Sequence, residues 1–108
     1  MAIERQNFTM WKGESKCVTF TVEDVEDLAG CAIRWKLAKR PHDEPLITKN
    51  ETNGITINNN EFTVTIDPDD TITLQHGLYY HESEITDTSE HISTVATGWV
   101  HIKPSVMR

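Results

Sequence analysis

The stretch GLYYHESEITDTSEHISTVATGWVHI, from Gly77 to Ile102, decides the fold. Tyr79, His81, Ser83 and Ile85 alternate with Leu78, Tyr80, Glu82 and Glu84, and on the return Val100 and Ile102 alternate with Trp99 and His101. A period of two sends one set toward a core and the other toward water, so the segment reads as a β-hairpin with its turn from Asp87 to His91. Pairing Asp87 with Ile92 sets Tyr80 opposite Trp99 and Tyr79 opposite Val100. A bulge near Thr97 and Gly98 would shift this register by one.

Upstream, strand signals recur about every ten residues, and no stretch of helical length carries an apolar stripe, which predicts an all-β sandwich or barrel. A first strand is expected near Gln6 to Lys12 and a second near Ser15 to Glu23, with Val18, Phe20 and Val22 inward. Leu28 to Gly30 forms a loop with a small apolar plug. The next strand points Ile33, Trp35 and Leu37 one way and Arg34 and Lys36 the other. Pro41 and Pro45 bracket a turn, and Leu46 and Ile47 open a short edge strand. Strands near Gly54 to Asn58 and Glu61 to Asp67 are joined through Asn58, Asn59 and Asn60, residues that tolerate left-handed turns. Asp67 and Pro68 read as a helix cap and first helical residue, so one helical turn near residues 68–74 is expected to cross between sheets. The count is about seven to eight antiparallel strands in a single domain over residues 1–108.

Composition narrows the function. Seventeen acidic against ten basic residues give a formal charge of −7, which repels a nucleic-acid backbone. No apolar run approaches the roughly 20 residues that span a bilayer, and Glu4, Arg5 and Gln6 behind Met1 leave no signal-peptide core, so synthesis in the cytoplasm is expected. Cys17 and Cys31 fall on opposite faces by strand parity, so no disulfide between them is expected. The sequons at Asn7 and Asn50 then read as plain loop or edge residues.

In immunoglobulin-like domains a Gly-x-Tyr-x-Cys run opens the sixth strand, its Tyr closes a corner to the backbone upstream, and a Trp on the third strand packs in the core. Here Gly77, Tyr79 and His81 occupy that run and Trp35 takes the place of the core Trp, with a histidine where the disulfide cysteine would stand. More specifically, the chain resembles the small immunoglobulin-like β-sandwich domains of tailed-bacteriophage virion proteins, such as the N-terminal domain of baseplate upper proteins. The matching stretches are Trp11-Lys12-Gly13-Glu14-Ser15, Asp27-Leu28-Ala29-Gly30 followed by Ile33-Arg34-Trp35, and Gly77 to Asp87 followed by Thr94-Val95 and Gly98. Their order and spacing carry the likeness. It implies a structural protein of the tail, baseplate or neck without catalytic residues, made in the host bacterial cytoplasm. Partners would be other virion proteins and the chain itself. The chain departs from a baseplate upper protein in ending at Arg108, without the long fibre-forming region.

Glu82 and Glu84 share a strand face about 7 Å apart, a spacing that suits a glycosidase pair, but a water-facing strand supplies no burial to raise one carboxyl. Asp67, Asp69 and Asp70 lack the spacing of a calcium loop, and capping a helical turn explains them. His76, His81, His91 and His101 do not converge by parity, so no metal is expected. No phosphate loop, GxSxG or CxxC is present, so neither a cofactor nor an enzyme activity is expected. The outward face carrying Leu78, Tyr80 and Trp99, widened by Trp11, is the expected partner surface, because aromatics supply large buried area with a polar handle. The alternative reading of those aromatics is a carbohydrate-binding platform.

Overall fold

The computed structural model describes residues 4–23 and 25–107. Among them, nine strands and one helical turn follow in the order β1 (Glu4–Arg5), β2 (Phe8–Trp11), β3 (Lys16–Thr21), β4 (Ala32–Ala38), β5 (Ile47–Asn50), β6 (Ile55–Asn58), β7 (Glu61–Ile66), α1 (Pro68–Thr71), β8 (Gly77–Thr86) and β9 (Ile92–Lys103). One sheet runs β1-β9-β8-β4-β5 with β2 also on β9, and the second runs β3-β7-β6. The two sheets face each other as an immunoglobulin-like β-sandwich.

Each expected strand forms, and its alternation sets the core. Val18, Phe20, Phe62, Val64 and Ile66 of the smaller sheet meet Ile33, Trp35, Leu37, Tyr79, Ile85, Val100 and Ile102 of the larger, all buried. Leu28 plugs the loop after β3, fully buried, with its N–H on the carbonyl of Asn59 at 2.7 Å. Asn59 adopts the positive φ expected of that turn. Cys17 is exposed and Cys31 packs against the core, both as free thiols.

Two details of the strand pairing depart from the sequence reading. The first strand splits into β1 and β2, and both run parallel to β9, Phe8 beside Val100 and Trp11 beside Lys103. Period-two alternation fixes which face a side chain takes and says nothing about strand direction. In the closing hairpin Thr86, not Asp87, faces Ile92, and the register shifts between Ser83 and Glu84, where Val95 is the extra residue on β9. That bulge lies at Val95 rather than at Thr97 and Gly98. It restores Tyr80 opposite Trp99 and Tyr79 opposite Val100. It also places the consecutive residues Val95 and Ala96 both in the core.

The helical turn is shorter than expected, ending at Thr71. Asp67 N–H donates to the Asp70 carboxylate at 2.7 Å, and buried Thr71 accepts the N–H of Gly13 at 2.9 Å. The turn carries the chain from the smaller sheet to the larger.

Candidate functional site

The outward face of β8 and β9 is built by register. Tyr80 sits directly across from Trp99 and Leu78 across from His101. The Tyr80 and Trp99 rings meet edge to face, centroids 5.3 Å apart at 69°, a geometry favoured by the ring quadrupoles. Leu78 is 51% exposed and Trp99 40%, unusual fractions for large apolar side chains gathered in one place. Asn7, Phe8, Thr9, Leu78, Trp99 and His101 line a shallow groove along this patch. The Tyr80 hydroxyl reaches Glu82 at 3.4 Å, so the patch has a polar rim on the β4 side. Trp11 does not join it. It pairs with Lys103, four residues along β9 from Trp99 and so about 13 Å away. Its ring lies under the Lys103 ammonium at 5.3 Å, in a separate hollow with Glu14 and the 104–107 segment.

Asn7 and Gln6 are the contributors that strand parity did not reveal. They fall between β1 and β2, where the regular pairing with β9 lapses. Asn7 Oδ1 accepts the Trp99 backbone N–H at 2.8 Å, replacing a main-chain partner with a side chain and holding the Trp99 backbone. Asn7 therefore has a structural task beyond that of a plain edge residue. The Gln6 carbonyl turns inward and meets His81 Nε2 at 2.6 Å. This approach is possible because Gly98 has no side chain: a Cβ there would stand 2.1 Å from the Gln6 oxygen.

Beneath the patch, His81 occupies the disulfide position of the immunoglobulin pattern and is fully buried. Trp35 Nε1 donates to its Nδ1 at 3.1 Å. An indole N–H can only donate and a carbonyl can only accept, so Nε2 carries the proton and the ring is neutral. Burial pushes its pKa below the ordinary histidine value, and the bond to the Gln6 carbonyl opposes that only in part. Phe8 and Phe20 flank the ring at 5.3 and 5.9 Å. Tyr79 closes the expected corner, its hydroxyl donating to the Gln75 carbonyl at 2.5 Å. Trp35, Tyr79 and His81 are all buried, and Gly77 opens β8.

The remaining candidates face solvent or one another. Glu84 pairs with Arg34, and exposed Glu82 lies beside it on the outward face. Asp67 and Asp70 converge on Lys49, whose Nζ stands 3.7 and 2.8 Å from their carboxylates. Lys49 is buried, and its inward orientation was readable from its two-residue spacing to Ile47. Asp69 stays outside this pair. Among the described residues no three histidine, cysteine, aspartate or glutamate side chains gather as metal ligands, and no helix is long and apolar enough to cross a membrane.

No protein-family profile and no curated protein matches the chain. Among solved structures it is similar to CopC from Methylosinus trichosporium OB3b, at 14% identity over 96% of this chain and 86% of that one, with a TM-score of 0.49. It is also similar to an uncharacterized protein from Bacillus anthracis str. Ames, at 14% identity over the same shares and a TM-score of 0.39. Likeness at this level carries no functional argument, and the fold stands on the sheet topology.

Proposed function

We propose that the chain is a non-enzymatic structural component of a tailed-phage particle, in its tail, baseplate or neck, acting through protein–protein contacts. The observation that carries the contact surface is the exposed patch of Leu78, Tyr80 and Trp99. The rest of the same sheet face is charged, with Arg34, Lys36, Glu82 and Glu84 alongside, so the apolar patch is local and rimmed by polar groups, the anatomy of a docking surface. The order and spacing of the motifs shared with virion immunoglobulin-like domains support the particle assignment. Binding would come from burying the aromatic pair, with Trp99 as the anchor.

Light scattering of the chain mixed with purified tail and baseplate proteins of the same particle tests this. A complex is expected that Trp99→Ala weakens about tenfold or more and Trp11→Ala leaves intact. No complex with any of them would overturn it. A carbohydrate platform would stack sugar rings on coplanar aromatics, whereas these two rings stand 69° apart. Glycan binding abolished by Trp99→Ala would move the assignment to that class.

A further inference from the structure

Among the described residues the smaller sheet ends on β3, whose outer edge pairs with no other strand. Val22 N–H donates to the Asn60 carbonyl at 2.9 Å, which marks the pair just beyond β3 and β7 as a hydrogen-bonded one. Antiparallel ladders alternate, so Lys16, Val18 and Phe20 direct their main-chain groups at β7. Cys17, Thr19 and Thr21 therefore direct theirs away from it. Among the described residues no main-chain group bonds to them there. β6 confirms the alternation from the other side, since Thr65 N–H bonds the Gly54 carbonyl at 2.8 Å.

Proteins blunt such edges with proline, bulges, brevity or inward charges. β3 uses none of these beyond Lys16 at its start: its six residues read KCVTFT, in unbroken register with β7. Cys17, Thr19 and Thr21 are exposed on the outer face. Thr19 already shares a hydroxyl hydrogen bond with Thr63 at 2.9 Å, and Cys17 contacts the Thr65 hydroxyl at 3.8 Å. The three outward side chains of the strand are uncharged, and the nearest carboxylate, Glu61, accepts from the Thr21 hydroxyl at 3.4 Å.

We propose that β3 is the seam of a homodimer, two copies pairing their β3 edges antiparallel about a two-fold axis at Thr19. The edge is its own complement. In this alignment Cys17, Thr19 and Thr21 of one copy face Thr21, Thr19 and Cys17 of the other, and each facing pair exchanges both main-chain hydrogen bonds. Sliding the copies by two residues forfeits one of the three pairs. The chain carries a charge of −7, but no acidic residue lies in β3 itself, and Glu61 is tied to the Thr21 hydroxyl. The two three-stranded sheets become one continuous sheet of six strands. This seam is on the opposite sheet from the Trp99 patch, so the two surfaces do not overlap.

Light scattering over a concentration series tests the seam. The wild-type chain is expected to shift from one to two copies. Thr19→Lys, which sets like charges face to face on the axis, is expected to weaken the dimer about tenfold while leaving the far-UV spectrum of the monomer unchanged. Trp99→Ala is expected to leave the dimer alone. Facing residues in such a pair lie within disulfide reach, so Thr19→Cys in a Cys17→Ser background is expected to oxidise to a covalent dimer. A chain that stays monomeric at every concentration, a dimer that Thr19→Lys does not weaken, or a failure of the Thr19→Cys variant to crosslink would each overturn the proposal.

Discussion

Gly98 stands directly across the ladder from His81, and the space where its side chain would be is filled by the Gln6 carbonyl that His81 bonds. A gap in one strand thus satisfies a buried polar ring in the next. Gly98→Ala is expected to push the Gln6 carbonyl away, leave Nε2 unpaired in the core and lower stability by about 2 kcal/mol or more. Chemical denaturation of the variant checks this, and an unchanged midpoint would refute the close approach.

Stability should fall in mild acid because of the same histidine. His81 titrates near its ordinary value of about 6.5 when unfolded, but below it when folded, chiefly because burial disfavours the charged ring. Between those two values the unfolded chain binds a proton that the folded chain does not. The contribution is therefore intact above about pH 6.5 and is lost as pH falls toward the folded value. The other four histidines are exposed. Melting curves from about pH 7 to 5 are expected to slope downward with acid in the wild type, and His81→Gln should flatten that slope. Equal slopes would remove His81 as the cause.

How much of this was legible depended on which physics the residue type encodes. Alternation gave the inward faces of β3, β4, β7 and β8, because period two is a property of sequence, whereas the Tyr80–Trp99 pairing holds only because the Val95 bulge offsets a one-residue difference at the turn. The bulge at Val95 was not readable, since no glycine or proline marks it and its only sign is that Val95 and Ala96 are both buried. Gly98, which did look like a bulge, serves instead to admit Gln6. Strand direction and the inward Gln6 carbonyl depend on contacts between residues more than 70 apart, and no local pattern reports those. Trp11 shared the parity of the patch, but parity carries no information on distance along the strand.

Tyr79 anchors the entry to β8 through its hydroxyl. Tyr79→Phe removes the bond to the Gln75 carbonyl at little cost in volume, and a loss of about 1 kcal/mol is expected. Burial also raises the Tyr79 pKa above its ordinary value. Its contribution is therefore complete below about pH 10 and is lost as pH rises through the folded value. Ultraviolet titration of the folded chain should show a tyrosine phase that ionises late, and Tyr79→Phe should remove that phase.

Lys49 takes the position between Asp67 and Asp70 that a calcium ion would need. Its side chain is 6% exposed, against 23% for Asp70 and 63% for Asp67, so the costly charge to strand is the lysine's. Gly54, at φ +96°, makes room for it, since a Cβ there would meet the Lys49 Cδ at 2.6 Å. Asp70→Asn keeps an acceptor for the Asp67 N–H but leaves the ammonium without its nearer counter-charge. A loss of about 2 kcal/mol is expected. Lys49→Met removes the buried charge and leaves two carboxylates that reach water, so it is expected to cost less than Asp70→Asn. With an ammonium already seated between the carboxylates, added calcium is expected to leave the wild-type melting temperature unmoved. Calcium-dependent stabilisation in the wild type would show that the acidic pair holds another cation, and Lys49→Met proving the worse of the two would show that the costly charge is not the lysine's.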